Sequence, residues 1–206
     1  MSAKAALPPG PLPVRVDGRA ARAQRTRRAM VDALLALIAE GDLLASPERI
    51  VDRAGVSLRT LWTNFKDLEG LYAAVDERLF ELLRDAHESV PATLALPERI
   101  RVFCEQRGRL LELAAPATRA SQLRLPYSAQ LRRNRQAHHR RSGDELRLVF
   151  AAELDIMAAG DRDRRVLDLA VNTSPATWLL LRDELAMTKQ AATDVLIRSV
   201  TALLKD

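Results

Sequence analysis

An all-α fold is predicted for this chain by three observations. Aromatic residues are only 4% of the 206 residues while Ala and Leu recur throughout, a balance that favours helices over sheets. Apolar residues return at helical spacing, and no segment alternates as a half-buried strand would. Ser, Asp, Thr and Pro stand where helix starts are wanted. With 48% hydrophobic and 29% charged residues, the chain can bury a sizeable core and is not read as disordered.

The elements follow in order. Residues 1–20 hold Pro8, Pro9, Pro11 and Pro13 with Gly10 and Gly18, a composition expected to form a mobile tail. From about Arg22 the pattern turns helical. Met30, Leu34, Leu37 and Ile38 share one face, and Gly41 stops the run. Arg22, Arg25, Arg27 and Arg28 fall in its opening turns, where positive charge opposes the helix dipole, so stability does not explain them. Ser46-Pro47 with Glu48 starts a short helix that buries Ile50, Val51 and Ala54 and ends at Gly55. Ser57 caps a third, with Leu61, Trp62 and Phe65 on its inner side. Asp67 caps a fourth, whose stripe runs Leu71, Tyr72, Val75, Leu79, Leu82 and Leu83.

Beyond it, Pro97 opens a helix carrying Ile100, Phe103, Cys104, Leu110 and Leu111. Pro116 and Pro126 are expected to punctuate a short connector helix. A long helical segment is expected over 127–157 with a break near Ser142-Gly143. Two final helices are expected over 161–185 and 188–204, the second capped by Thr188.

Net charge is +5, and its location matters more than its size. Residues 1–66 hold eleven Lys/Arg against six Asp/Glu, while residues 67–206 hold twenty-one of each. The whole excess sits in the first third, as for a basic reader attached to a neutral body. Several classes are excluded. A single cysteine, Cys104, rules out a disulfide framework and any CxxC zinc site and fits a reducing cytoplasm, the expected location. Among the three histidines, His138 and His139 are adjacent and diverge by about 100° on a helix, a poor metal pair. His87 is read as a surface histidine. No nucleophile elbow, phosphate-binding loop or HExxH motif occurs, so no enzyme activity, cofactor or metal is expected. The apolar run 29–39 after Arg27-Arg28 imitates a signal peptide, but Asp32 interrupts it and no small-residue cleavage site follows. No apolar run is long enough to cross a membrane.

Two short helices joined at a glycine, the second capped by serine, form a helix-turn-helix pattern. Its second helix would offer Ser57, Leu58, Arg59 and Thr60, then Thr63 one turn on, to base edges in the major groove of DNA. Arg59 is the side chain there able to grip guanine with two hydrogen bonds. Arg25 and Arg28 are expected to hold phosphates.

The run Ile50-Val51-Asp52-Arg53-Ala54-Gly55-Val56-Ser57-Leu58-Arg59-Thr60-Leu61-Trp62-Thr63-Asn64-Phe65-Lys66-Asp67 resembles the DNA-binding signature of tetracycline-repressor-like (TetR) regulators. The likeness reaches back through the first helix and forward to Glu69 and Leu71. The stretch from Thr173-Ser174-Pro175-Ala176-Thr177-Trp178 to Leu204 is similar to the family's last two helices. The resemblance implies an all-α homodimer with a helix-turn-helix domain over 21–67 and a helical effector-binding and dimerisation domain over 68–206. It implies repression of a pseudo-palindromic operator, relieved by a small molecule. It also places Trp62, Asn64 and Lys66 beside the DNA. Two residues depart from the family pattern: Trp62 stands for a usual tyrosine and Leu68 for a usual lysine, both phosphate-gripping. Trp62 keeps an N–H donor. Leu68 does not replace the charge, although its position is expected beside the DNA backbone rather than in the core.

The resemblance sets Phe103, Cys104, Arg107, Leu111, Tyr127, Phe150, Leu154 and Met157 on helices around the ligand cavity. It sets Trp178, Leu181, Leu185, Val195, Ile197 and Leu204 on the helices that build the dimer. The Arg/His-rich stretch 132–147 is read as a solvated helix face, with a second phosphate-contacting patch or a mouth that attracts anionic ligands as the sharper readings. Two other readings stand beside the repressor. One is a helical small-molecule enzyme or carrier with an incidental basic arm. The other is a ligand-independent DNA-binding regulator, or an activator.

Overall fold

The computed structural model describes residues 18–205, and among them all regular structure is helical. Residues 1–17, most of the expected tail, lie outside the described residues. The first helix, α1 (Gly18–Ala39), starts earlier than expected, because the run from Arg19 to Ala29 is made of good helix formers. Then come α2 (Pro47–Ala54), α3 (Leu58–Asn64) and α4 (Leu68–Asp85). Their caps match the sequence reading. Ser46 Oγ accepts from Arg49 N–H, Ser57 Oγ from Thr60 N–H, and an Asp67 carboxylate oxygen from Gly70 N–H at 2.8 Å. Gly41 and Gly55 take left-handed backbone, with φ of 97° and 65°, which side chains disfavour.

The body comprises α5 (Leu96–Arg124), α6 (Ala129–Val149), α7 (Ala151–Leu154), α8 (Ala159–Asn172), α9 (Pro175–Leu179) and α10 (Lys189–Lys205). A π-helical stretch, Leu180–Glu184, continues α9. Three expected boundaries are corrected. Pro116 does not end a helix; α5 runs through it. Ala114, Ala115, Ala117 and Ala120 around it are buried, and packing on both sides outweighs the lost backbone hydrogen bond. The break expected at Ser142-Gly143 falls at Phe150 instead. Ser142 and Gly143 are buried within α6, packed beside Val166 of α8, and that packing carries the helix through them. The helix expected over 161–185 is divided at Thr173. There Ser174 Oγ accepts from Thr177 N–H and Pro175 opens α9, the same start signal as Ser46-Pro47.

Two cores result. One joins α1–α4 through Met30, Leu34, Ile50, Leu61, Phe65 and Leu71, and takes in Ala114, Ala117 and Ala120 from α5. The other packs α5, α6, α8, α9 and α10 around Phe103, Phe150, Leu169, Trp178 and Leu196. Helix α5 thus belongs to both. Gly108 lets the Trp178 ring approach α5: a Cβ there would meet that ring at 3.1 Å and Thr193 Oγ1 at 2.8 Å.

Candidate functional site

Helices α2 and α3 meet across Gly55-Val56-Ser57, with Val56 N–H donating to the Val51 carbonyl at 3.0 Å. This tight turn sets α3 against the first core through buried Leu61, leaving its other face in solvent. The ten residues expected at DNA divide into groups. The Ser57 and Thr60 hydroxyls lie 2.9 Å apart and serve the cap. Thr63 Oγ1 donates to the Arg59 carbonyl at 2.7 Å, and Asn64 Nδ2 to the Thr60 carbonyl at 2.8 Å. These four side chains are turned onto their own helix. Leu58, Arg59, Trp62 and Lys66 are exposed, and Arg59 and Lys66 form no ion pair among the described residues. Trp62 is 44% exposed, unusually open for an indole. It is not on the inner side of α3, where the sequence reading put it.

On α1, Arg25 is exposed and forms no ion pair among the described residues. Arg28 sits 3.8 Å from Asp32, which Arg78 of α4 also approaches at 3.3 Å. Arg27, absent from the expected site, has a definite task. Its Nη1 donates to the Asn64 carbonyl at 2.7 Å, and its guanidinium lies 4.0 Å from the Phe65 ring centroid. It ties α1 to the C-terminal end of α3 and fixes the two basic elements relative to each other. Sequence reasoning saw its charge but had no signal for its partner 37 residues on. Leu68 is half-buried against the first core, so the position expected beside the DNA backbone is a packing position.

The body contains two adjoining cavities of about 410 and 190 Å³, walled chiefly by α4, α5 and α6. Of the expected ligand residues, Arg107 and Leu111 line the smaller. Phe103, Cys104, Phe150 and Leu154 line neither; they are buried in the second core, and Met157 packs against it. Burial pushes the Cys104 thiol up to about 12, which makes it inert. Tyr127 is 81% exposed in the turn between α5 and α6. The residues that do line the space include Phe80, Leu83, Arg84, His138 and Arg141. The stretch 132–147 is therefore not only a solvated face. Burial, then the arginines Arg107, Arg141 and Arg135 with His139, lowers His138 to about 4, leaving it neutral. His87 is exposed, as read, beyond the end of α4, with Nε2 3.2 Å from Glu145 Oε1.

The expected dimer residues divide as well. Trp178, Leu181 and Leu204 are buried in the chain's own second core, with Trp178 Nε1 donating to Glu112 Oε2 at 2.9 Å. Val195 and Ile197 are half-buried, and Leu185 is exposed. Leu167 and Val171 of α8 and Leu180 are exposed apolar residues that the sequence reading passed over.

No protein-family model and no curated protein matches the chain by sequence. Solved structures do match it. A tetR-family transcriptional regulator from Streptomyces coelicolor is similar with a TM-score of 0.70 and 18% identity, over 87% of this chain and 80% of that one. A transcriptional regulator from Rhodococcus sp. Rha1 aligns with a TM-score of 0.69 and 16% identity, over 87% and 96%. The multidrug binding protein EbrR, complexed with imidazole, aligns with a TM-score of 0.57 and 16% identity, over 84% and 93%. The architecture is that of helical transcriptional regulators with an N-terminal helix-turn-helix. The likeness is one of fold, and the chain has the fold of the tetR-family structures.

Proposed function

We propose that this protein is a DNA-binding transcriptional repressor that holds a pseudo-palindromic operator as a homodimer and releases it on binding a small molecule. The observation that carries the reading is the N-terminal end of α3. A capped helix, rigidly set by Gly55 and Leu61, projects Arg59 into solvent with Leu58, Trp62 and Lys66 beside it. Such a helix end can enter the major groove while Arg25 and Lys66 meet flanking phosphates. Exposed Leu167, Val171 and Leu185 supply apolar surface for a second copy. The cavities between α4, α5 and α6 supply room for an effector, and EbrR, of the same fold, is a multidrug binding protein. A regulator of this kind works in the cytoplasm beside the chromosome.

The test is fluorescence anisotropy with an operator selected from random duplexes. The protein should select a palindrome, and Arg59→Ala should weaken it by about 1–3 kcal/mol per half-site while relaxing preference at one position. Selection of no sequence, or unchanged preference in Arg59→Ala, would overturn the reading.

A further inference from the structure

We infer that the smaller cavity is built for an amphipathic organic acid, a single carboxylate on an apolar body. The inference rests on the proposal that an effector occupies these cavities, and it names that effector's chemistry. Phe80 and Leu83 of α4, Leu110, Leu111 and Ala114 of α5, and Pro175 form apolar walls. Arg84, Arg107 and Arg141 also line the space, against one carboxylate, Glu145. That carboxylate is already engaged, with Arg107 Nη2 at 2.8 Å and His87 Nε2 at 3.2 Å.

Arg84 is approached by Asp85 at 3.7 Å, so the positive charge left over rests on Arg141. The Arg107 side chain is only 7% exposed and gives Nη2 to Glu145, so it brings positive charge to the wall rather than a free donor. Arg141 lies 3.8 Å from the Phe80 ring centroid and forms no ion pair among the described residues. An arginine over an aromatic wall keeps its N–H edge free for a carboxylate while the ring holds the apolar body. His138, neutral at the junction of the two cavities, can donate one further hydrogen bond.

The larger cavity has a different balance. Asp76, Glu77 and Glu81 face Arg84, Arg135 and Arg141 there, with His138 and His139. Three carboxylates on this wall, Asp76, Glu77 and Glu81, repel a further one, and burial raises the Asp76 carboxyl. The carboxylate accordingly belongs in the smaller lobe.

The experiment is calorimetric titration of the full chain with three probes that share one alkyl chain: decanoate, decanol and decylammonium. Decanoate should bind at least tenfold more tightly than decanol, and decylammonium should not compete. Arg141→Gln, at an exposed position whose loss spares the core, should reduce decanoate affinity at least tenfold and bring it to that of decanol. Arg107→Gln should do the same. Equal affinity for decanoate and decanol, preference for decylammonium, or no binding of any probe would overturn the inference. A parallel measurement with operator DNA separates the two readings. If decanoate binds with this selectivity but leaves the DNA complex intact, the cavity chemistry stands and release by this effector falls.

Discussion

On α1 and α3, Arg22, Arg25 and Arg59 lie in solvent without an ion pair among the described residues. In the body, Arg99 is held by Glu153, Arg107 by Glu145, Arg119 by Asp183 and Arg182 by Glu112. The residue type is the same, but what it can still do is not. A guanidinium already gripped by a carboxylate must lose that partner before it meets a phosphate, whereas an unpaired one exchanges only loosely held counterions. The pairing is not total on either side. Arg49 and Arg53 of α2 are bound to Asp42 and Glu40, and Arg28 of α1 lies by Asp32, while Arg141 in the body lacks a carboxylate. Those exceptions bound the contrast: Arg49 and Arg53 tie α2 to the segment that follows α1, and Arg141, one of several body arginines without an ion pair among the described residues, lines a cavity.

The largest expected effect lies in the body, where arginine serves structure. Trp178 is fully buried and shares Glu112 with Arg182, whose Nε and Nη2 donate at 3.1 and 2.9 Å. Trp178→Ala should cost about 3–5 kcal/mol in urea unfolding. A loss below about 1 kcal/mol would mean that this network is surface decoration.

The next effect is a pH dependence. His138 is depressed to about 4 in the folded protein, below the ordinary value of about 6.5. Between those values the unfolded chain binds the proton and the folded one does not. Stability is therefore intact above about pH 6.5 and falls as pH drops towards 4, by about 1–3 kcal/mol. His138→Gln should flatten that part of the stability profile relative to the unaltered protein. Parallel profiles for the two proteins would count against a neutral, half-buried His138.

A direct comparison of arginines follows. Arg25→Ala should reduce the slope of log K against log salt by roughly 0.9 per subunit contact, with sequence preference unchanged. Arg119→Ala, which breaks the bond to Asp183 at 2.6 Å, should leave that slope alone. If both variants change the slope alike, pairing does not separate the two groups.

The smallest effect concerns Leu68. Its half-buried place against the first core predicts that Leu68→Lys lowers stability by about 1 kcal/mol and leaves the salt slope unaltered. A steeper slope would return the position to the DNA backbone.

Local chemistry determined the helix starts, since a cap needs only a side chain and an N–H three residues on. Ser46-Pro47, Ser57, Asp67 and Thr188 were therefore legible, as were Gly41 and Gly55 and the cationic bias of the first third. Ser174-Pro175 carried the same signal, but the apolar periodicity running past it suggested one continuous helix. Pro116 and Ser142-Gly143 misled in the opposite sense, because breakers in a sequence do not show the packing that overrides them. Tertiary structure alone decided which apolar residues form walls and which form core. Phe103 sits on the apolar stripe read for its helix and Phe80 beside the stripe read for α4, yet the first is sealed in the second core and the second lines a cavity. It also decided which arginines are paired, because Arg27 finds Asn64 and Arg119 finds Asp183 across distances along the chain that no local pattern encodes. Helix periodicity shows which face turns inward; only the arrangement of the other helices decides what that face meets.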